Sequence, residues 1–157
     1  MKLKDIAAIS GKPGLFRIVK PTRNGVIVET LDNKKIKTAI SATQRISILK
    51  EITMYTTTEE DSIPLEDVLK SIHEKKGFKV EVEVKAPSRL HEFMVEVFPE
   101  YDKERVKDAD IKKLIKWYNI LGEFAQTVIE NIGNQEEEAE KELVEASAES
   151  DSAKQEA

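Results

Sequence analysis

Between Gly14 and Tyr55, apolar and polar residues alternate with the period of two that marks strands with two distinct faces. Val26, Val28 and Thr30 interleave with Ile27, Glu29 and Leu31, and Phe16 and Ile18 oppose Arg17 and Val19, with Phe16 facing inward. Ile36, Thr38 and Ile40 repeat the pattern, and Ile46 to Tyr55 adds an apolar segment with room for a one-turn helix before a closing strand. Asn24-Gly25 and Asp32-Asn33 divide the runs with residues that tolerate φ > 0 in tight turns. Five or so short strands in this length predict a small, strongly bent antiparallel barrel over residues 1–57. Ahead of it, Leu3, Ile6, Ala7 and Ile9 share one face of a short helix or turn leading into Gly11-Lys12-Pro13-Gly14. That tetrad has the form of the GxxG loop of KH domains. A KH loop joins two helices, however, and a strand-like run follows here, so a plain turn is expected.

The second half changes period. Thr56 to Asp61 reads as a polar linker, after which Ser62 and Pro64 open a helix carrying Leu65, Val68, Leu69 and Ile72 and ended by Gly77. Val80, Val82 and Val84 alternate with glutamates and predict an isolated extended segment. Ser88 caps a second helix, and Asp108 or Asp110 begins a third and longest one. There Leu114, Trp117, Leu121, Phe124 and Val128 form a stripe that Ile111, Ile115 and Tyr118 widen. So broad a stripe places this helix, with Trp117 in the core, at the centre of a three-helix domain over residues 62–132. The fold class is α+β. Residues 133–157 offer two aliphatics larger than alanine, Leu143 and Val144, and no aromatic, so a disordered acidic tail is expected.

Charge adds a second pattern. Residues 1–58 hold eleven Lys/Arg against four Asp/Glu, residues 59–133 twelve against seventeen, and residues 134–157 two against nine. The regional charges of +7, -5 and -7 make up the net -5. A basic first third suits an anionic partner. There is no cysteine, which excludes disulfides and thiolate metal sites. The N-terminus lacks the apolar run of a signal peptide, and no stretch is long enough to span a bilayer, so a cytoplasmic protein without membrane contact is expected.

Two stretches together, ISGKPGLFRIV…GVIVETLDNKK…ISILKEITMYT and FPEYDKERVKDADIKKLIKWYNIL, resemble a family of short bacteroidete proteins catalogued as domains of unknown function. The resemblance covers about three-quarters of the chain and excludes the tail. It implies two small domains and carries over no activity, ligand or catalytic residue. The N-terminal segment also resembles an SH3-like small barrel of the kind found in ribosomal and translation proteins, an analogy of fold alone.

No enzyme chemistry is signalled. His73 and His91 lie on predicted helices without a ligand cluster, and no Walker A run, GxSxG elbow or GxGxxG loop occurs. The expectation is a protein with no catalytic residue, no metal and no cofactor. The leading function is association with RNA or the ribosome through the basic barrel. Lys34, Lys35 and Lys37 gather at a hairpin turn, and Arg17, Lys20 and Arg23 flank the facing loop. The alternative is an adaptor that binds a protein partner through Tyr101, Arg105, Trp117 and Tyr118, residue types enriched in interface hot spots. Tyr101, Asp102 and Arg105 can instead brace the helix–helix corner while Trp117 fills the core.

Overall fold

The computed structural model describes residues 1–132; the acidic tail lies outside them. The α+β class holds, with antiparallel sheet first and helices after it. A 3₁₀ turn at Leu3–Asp5 leads into β1 (Ile6–Ile9), so the segment read as a helix or turn is largely strand. β2 (Phe16–Thr22), β3 (Gly25–Thr30) and β4 (Lys37–Ser41) follow as a meander, and β5 (Ile46–Ile48) returns to pair with β1. The order is β4-β3-β2-β1-β5.

This sheet is open, which corrects the expected closed barrel. Its edge strands, β4 and β5, do not pair with each other. β5 is three residues long and bonds to β1. β6 (Thr53–Tyr55), the strand expected to close the barrel, pairs instead with β7 (Ser62–Pro64) in a separate two-stranded sheet. The 3₁₀ turn expected before it is present at Leu49–Glu51. Residues 56–61 form the turn of that second hairpin. A register shift between Ile18 and Lys20 bends β2, as a bulge does, and curls the sheet around Ile9, Phe16, Val28 and Ile40. Gly25 sits at a turn, yet space rather than a positive φ demands glycine there: a Cβ would lie 1.8 Å from the Ile40 carbonyl oxygen.

Four helices complete the fold where three were expected: α1 (Leu65–Lys76), α2 (Pro87–Val97), α3 (Asp108–Phe124) and the short α4 (Gln126–Glu130). α1 starts with Glu66 and Asp67 and ends with His73, Lys75 and Lys76, a charge order that suits the helix dipole. Gly77 follows it at φ 72°. Val80 to Val84 forms no strand. Their apolar faces share one core with Leu3, Ile6, Leu15, Leu31 and Leu49 from the N-terminal segment. Among the described residues no helix is long and apolar enough to cross a membrane.

Candidate functional site

Trp117 and Tyr118 are adjacent on α3 and have opposite fates. Tyr118 is fully buried, and its hydroxyl donates to the Gly77 carbonyl. Burial pushes its phenol up to about 12. Trp117 is half-buried at the rim, which corrects its expected place in the core. Lys113, Lys116 and Trp117 stand at i, i+3 and i+4, so one helix face presents them together.

Two other segments meet that face. The Gly11–Gly14 loop joins β1 to β2, with both glycines left-handed at φ 82° and 83°. A Cβ on Gly14 would touch Ile120 Cδ1 at 4.0 Å, which places the loop against α3. Arg45 precedes β5, and its carbonyl accepts from Ser10 N at 3.0 Å, holding it beside the loop. Between them opens a groove of about 560 Å³, lined by Lys12, Arg45, Lys113 and Lys116 with Trp117 on one wall. Among the described residues no carboxylate lines it. None of the four cations forms an ion pair among the described residues. Uncompensated like charges around a concavity concentrate a positive potential there.

This groove shares Ile52, Lys113 and Trp117 with an apolar cleft of about 230 Å³ between β6 and α3, walled by Ile52, Met54, Leu65, Val106 and Leu114. Arg105 and Asp110 also line it. Arg105 is pinned from four sides: Asp61 at 2.7 Å, Asp102 at 2.8 Å, the Thr56 carbonyl at 3.4 Å, and the Tyr55 ring beneath it at 4.4 Å. Hydrogen bonds from this guanidinium hold both carboxyls below their ordinary range, and the two carboxylates hold Arg105 above its own. The Pro99–Arg105 stretch thereby braces the corner between α2 and α3 against β6. The Glu100 carbonyl accepts from Thr57 N, Asp102 N donates to the Tyr55 carbonyl, and Tyr101 bridges to Thr56.

Of the four expected partner-binding residues, Arg105 and Trp117 reach the groove system, while Tyr101 and Tyr118 are buried at 1% and 0% exposure. The Tyr101 hydroxyl lies 2.7 Å from His91 Nδ1, and His91 Nε2 lies 2.9 Å from Asp108 Oδ1, a chain tying α2 to the start of α3. No four-residue surface forms.

The six expected nucleic-acid contacts do not gather either. Arg17 and Lys37 both stand opposite Glu29 across the sheet, and Arg17 Nε is 3.3 Å from Glu29 Oε2. Asp32 Oδ1 accepts from Lys34 N at 2.9 Å, Lys35 N at 3.0 Å and Thr30 Oγ1 at 2.8 Å. The Thr30 bond first, with help from the Lys35 amide, keeps that carboxyl below its ordinary range. Lys20 stands opposite Ile27, midway along β3, and Arg23 lies beyond its far end, which is about 17 Å away by the rise of the strand. Acids are interleaved with cations, and the group is strung out along the sheet. The groove cations Lys12, Arg45, Lys113 and Lys116 escaped the sequence reading. The signal available was Lys113-x-x-Lys116-Trp117 on one helix face. Among the described residues no group of three or more His, Asp or Glu stands close enough to hold a metal.

Residues 3–49 match a domain of unknown function, DUF5606, and residues 52–121 match a second, DUF6852. A Bacteroides vulgatus protein solved by solution NMR as a structural-genomics target is 40% identical, with 76% of this chain and 85% of that one covered and a TM-score of 0.62. No curated protein matches the chain.

Proposed function

We propose that this chain, which belongs to a bacteroidete family pairing the DUF5606 and DUF6852 domains of unknown function, is a non-catalytic protein that associates with RNA, free or ribosomal. It holds an unpaired strand in the groove between the Gly11–Gly14 loop, Arg45 and α3. One observation carries this reading: four cations from three segments converge beside a half-buried tryptophan, with no acid in the lining among the described residues. Lysine and arginine at that spacing suit phosphates, and binding would release counterions. An indole face stacks an unpaired base for roughly 1–3 kcal/mol, whichever base it is. Backbone contact with stacking gives little sequence preference. The meander whose fifth strand returns to the first supports an SH3-like ancestry for the sheet, at the level of fold alone. A cytoplasmic setting fits a chain without cysteine.

The adaptor reading keeps one specific support, the apolar cleft beside Trp117 and Arg105, which is shaped to take an aliphatic side chain. Ultraviolet crosslinking in lysate, with and without nuclease, separates the two. Crosslinked RNA that nuclease trims favours the first, and a discrete nuclease-resistant protein adduct favours the second.

A further inference from the structure

The cationic groove and the apolar cleft adjoin at Ile52, Lys113 and Trp117, a channel cationic at the Lys12–Lys116 end and aliphatic at the Met54–Leu114 end. An occupant that satisfies both ends needs carboxylates followed by one or two aliphatic side chains. The same chain contains such a segment. Residues 136–145 read EEEAEKELVE, and Leu143-Val144 is the only pair of aliphatics larger than alanine beyond Ile132. We infer that this segment docks in the channel, with Leu143 and Val144 in the apolar cleft and the preceding glutamates against Lys12, Arg45, Lys113 and Lys116. Leu143 lies eleven Cα steps beyond Ile132, an extended reach of about 36–40 Å. A folded body of this size has a radius of gyration of about 14 Å, so the extended tether is about as long as the body is wide. Charge order matches as well: leaving Ile132, the chain supplies its acids before its aliphatics. The inference rests on the channel of the RNA reading and names an internal competitor for it.

Trp117 is the only tryptophan in the chain and lines both parts of the channel, so its fluorescence reports occupancy directly. Acrylamide quenching is measured on full-length protein as wild type, as Leu143→Asp/Val144→Asp, and as Lys113→Glu/Lys116→Glu. Tethering at millimolar effective concentration keeps the wild-type channel occupied, so each variant raises the quenching constant roughly twofold. Equal constants in all three overturn the inference. A wild-type value that changes with protein concentration also overturns it, in favour of a second copy as occupant. Binding of a labelled ten-nucleotide oligouridylate keeps the two readings apart. With both correct, Leu143→Asp/Val144→Asp binds it about tenfold more tightly than wild type. If quenching differs but neither protein binds the oligonucleotide, the tail docks and the RNA reading falls. If both bind with one affinity and quench alike, the RNA reading stands and the tail contact falls.

Discussion

Asn119 on α3 grips Val80 with both ends of its amide: Oδ1 accepts from Val80 N at 2.7 Å, and Nδ2 donates to the Val80 carbonyl at 3.0 Å. This is the bonding that a neighbouring strand would supply, so a segment that alternates like a strand needs no sheet. The stretch lies so close to α3 that a Cβ on Gly122 would be 1.8 Å from the Phe78 carbonyl oxygen. Asn119→Ala leaves two groups of a buried residue unpaired and should cost about 1–3 kcal/mol in urea unfolding. A loss below about 0.5 kcal/mol, the level of an ordinary surface change, would contradict this role.

Asp61 and Asp102 predict an acid limb of stability. Both carboxyls are depressed from 3.8, chiefly by hydrogen bonds from Arg105. A carboxyl depressed in the fold stabilises it at pH values above 3.8, and that contribution disappears as pH falls through the folded value. Arg105→Gln should therefore lower Tm at neutral pH, and its Tm should converge on the wild-type value below about pH 3.8. A difference independent of pH would show that packing over Tyr55, not charge, makes Arg105 matter.

Tyr118 sets the alkaline limb. Its phenol is raised to about 12, so the unfolded chain ionises near pH 10 while the fold resists. Stability is full below the unfolded value and falls as pH climbs from 10 through 12. Tyr118→Phe should flatten that slope and leave only the share of Tyr101, whose phenol burial also raises. It should also cost about 1 kcal/mol at neutral pH through the lost bond to Gly77. Melting curves between pH 8 and about 11 on both proteins check the sign.

Trp117→Ala should cost about 1–2 kcal/mol in urea unfolding, below the 3–5 typical of an emptied aromatic core site, because the ring is half-buried. RNA binding should suffer more than stability. A loss of 3 kcal/mol or more would mean that the ring supports the core after all.

Much of the fold is legible in the sequence. Alternation around Val26 and Val28 marks the meander, Phe16 does face inward, and apolar spacing with Gly77 bounds α1 well. β1 is hidden because Ile-Ala-Ala-Ile shows no alternation of polarity, and Leu3 with Ile6 mimics a helical face. Closure of the sheet is illegible because β6 could pair with an edge strand, β4 or β5, or with β7, and the hairpin with β7 is held by the docking of Glu100 and Tyr101 on Thr56–Thr57, distant in sequence. On a stripe as wide as that of α3, neighbouring aromatics cannot be ranked, and Tyr118 rather than Trp117 goes inside. The candidate site was missed for a related reason. Its cations come from residues 12, 45, 113 and 116, and only folding brings those together.

The central claim is that the groove beside Trp117, not the outer face of the sheet, holds an RNA strand. Fluorescence anisotropy of the labelled oligouridylate across a salt series tests it with three full-length proteins: wild type, Lys113→Glu/Lys116→Glu, and Lys34→Glu/Lys35→Glu/Lys37→Glu. Four phosphate contacts at ~0.7 each predict a wild-type log–log slope of about -2.8. Binding should be lost in the groove variant and kept in the sheet variant. Unchanged binding by the groove variant, or its loss in the sheet variant alone, would contradict the account.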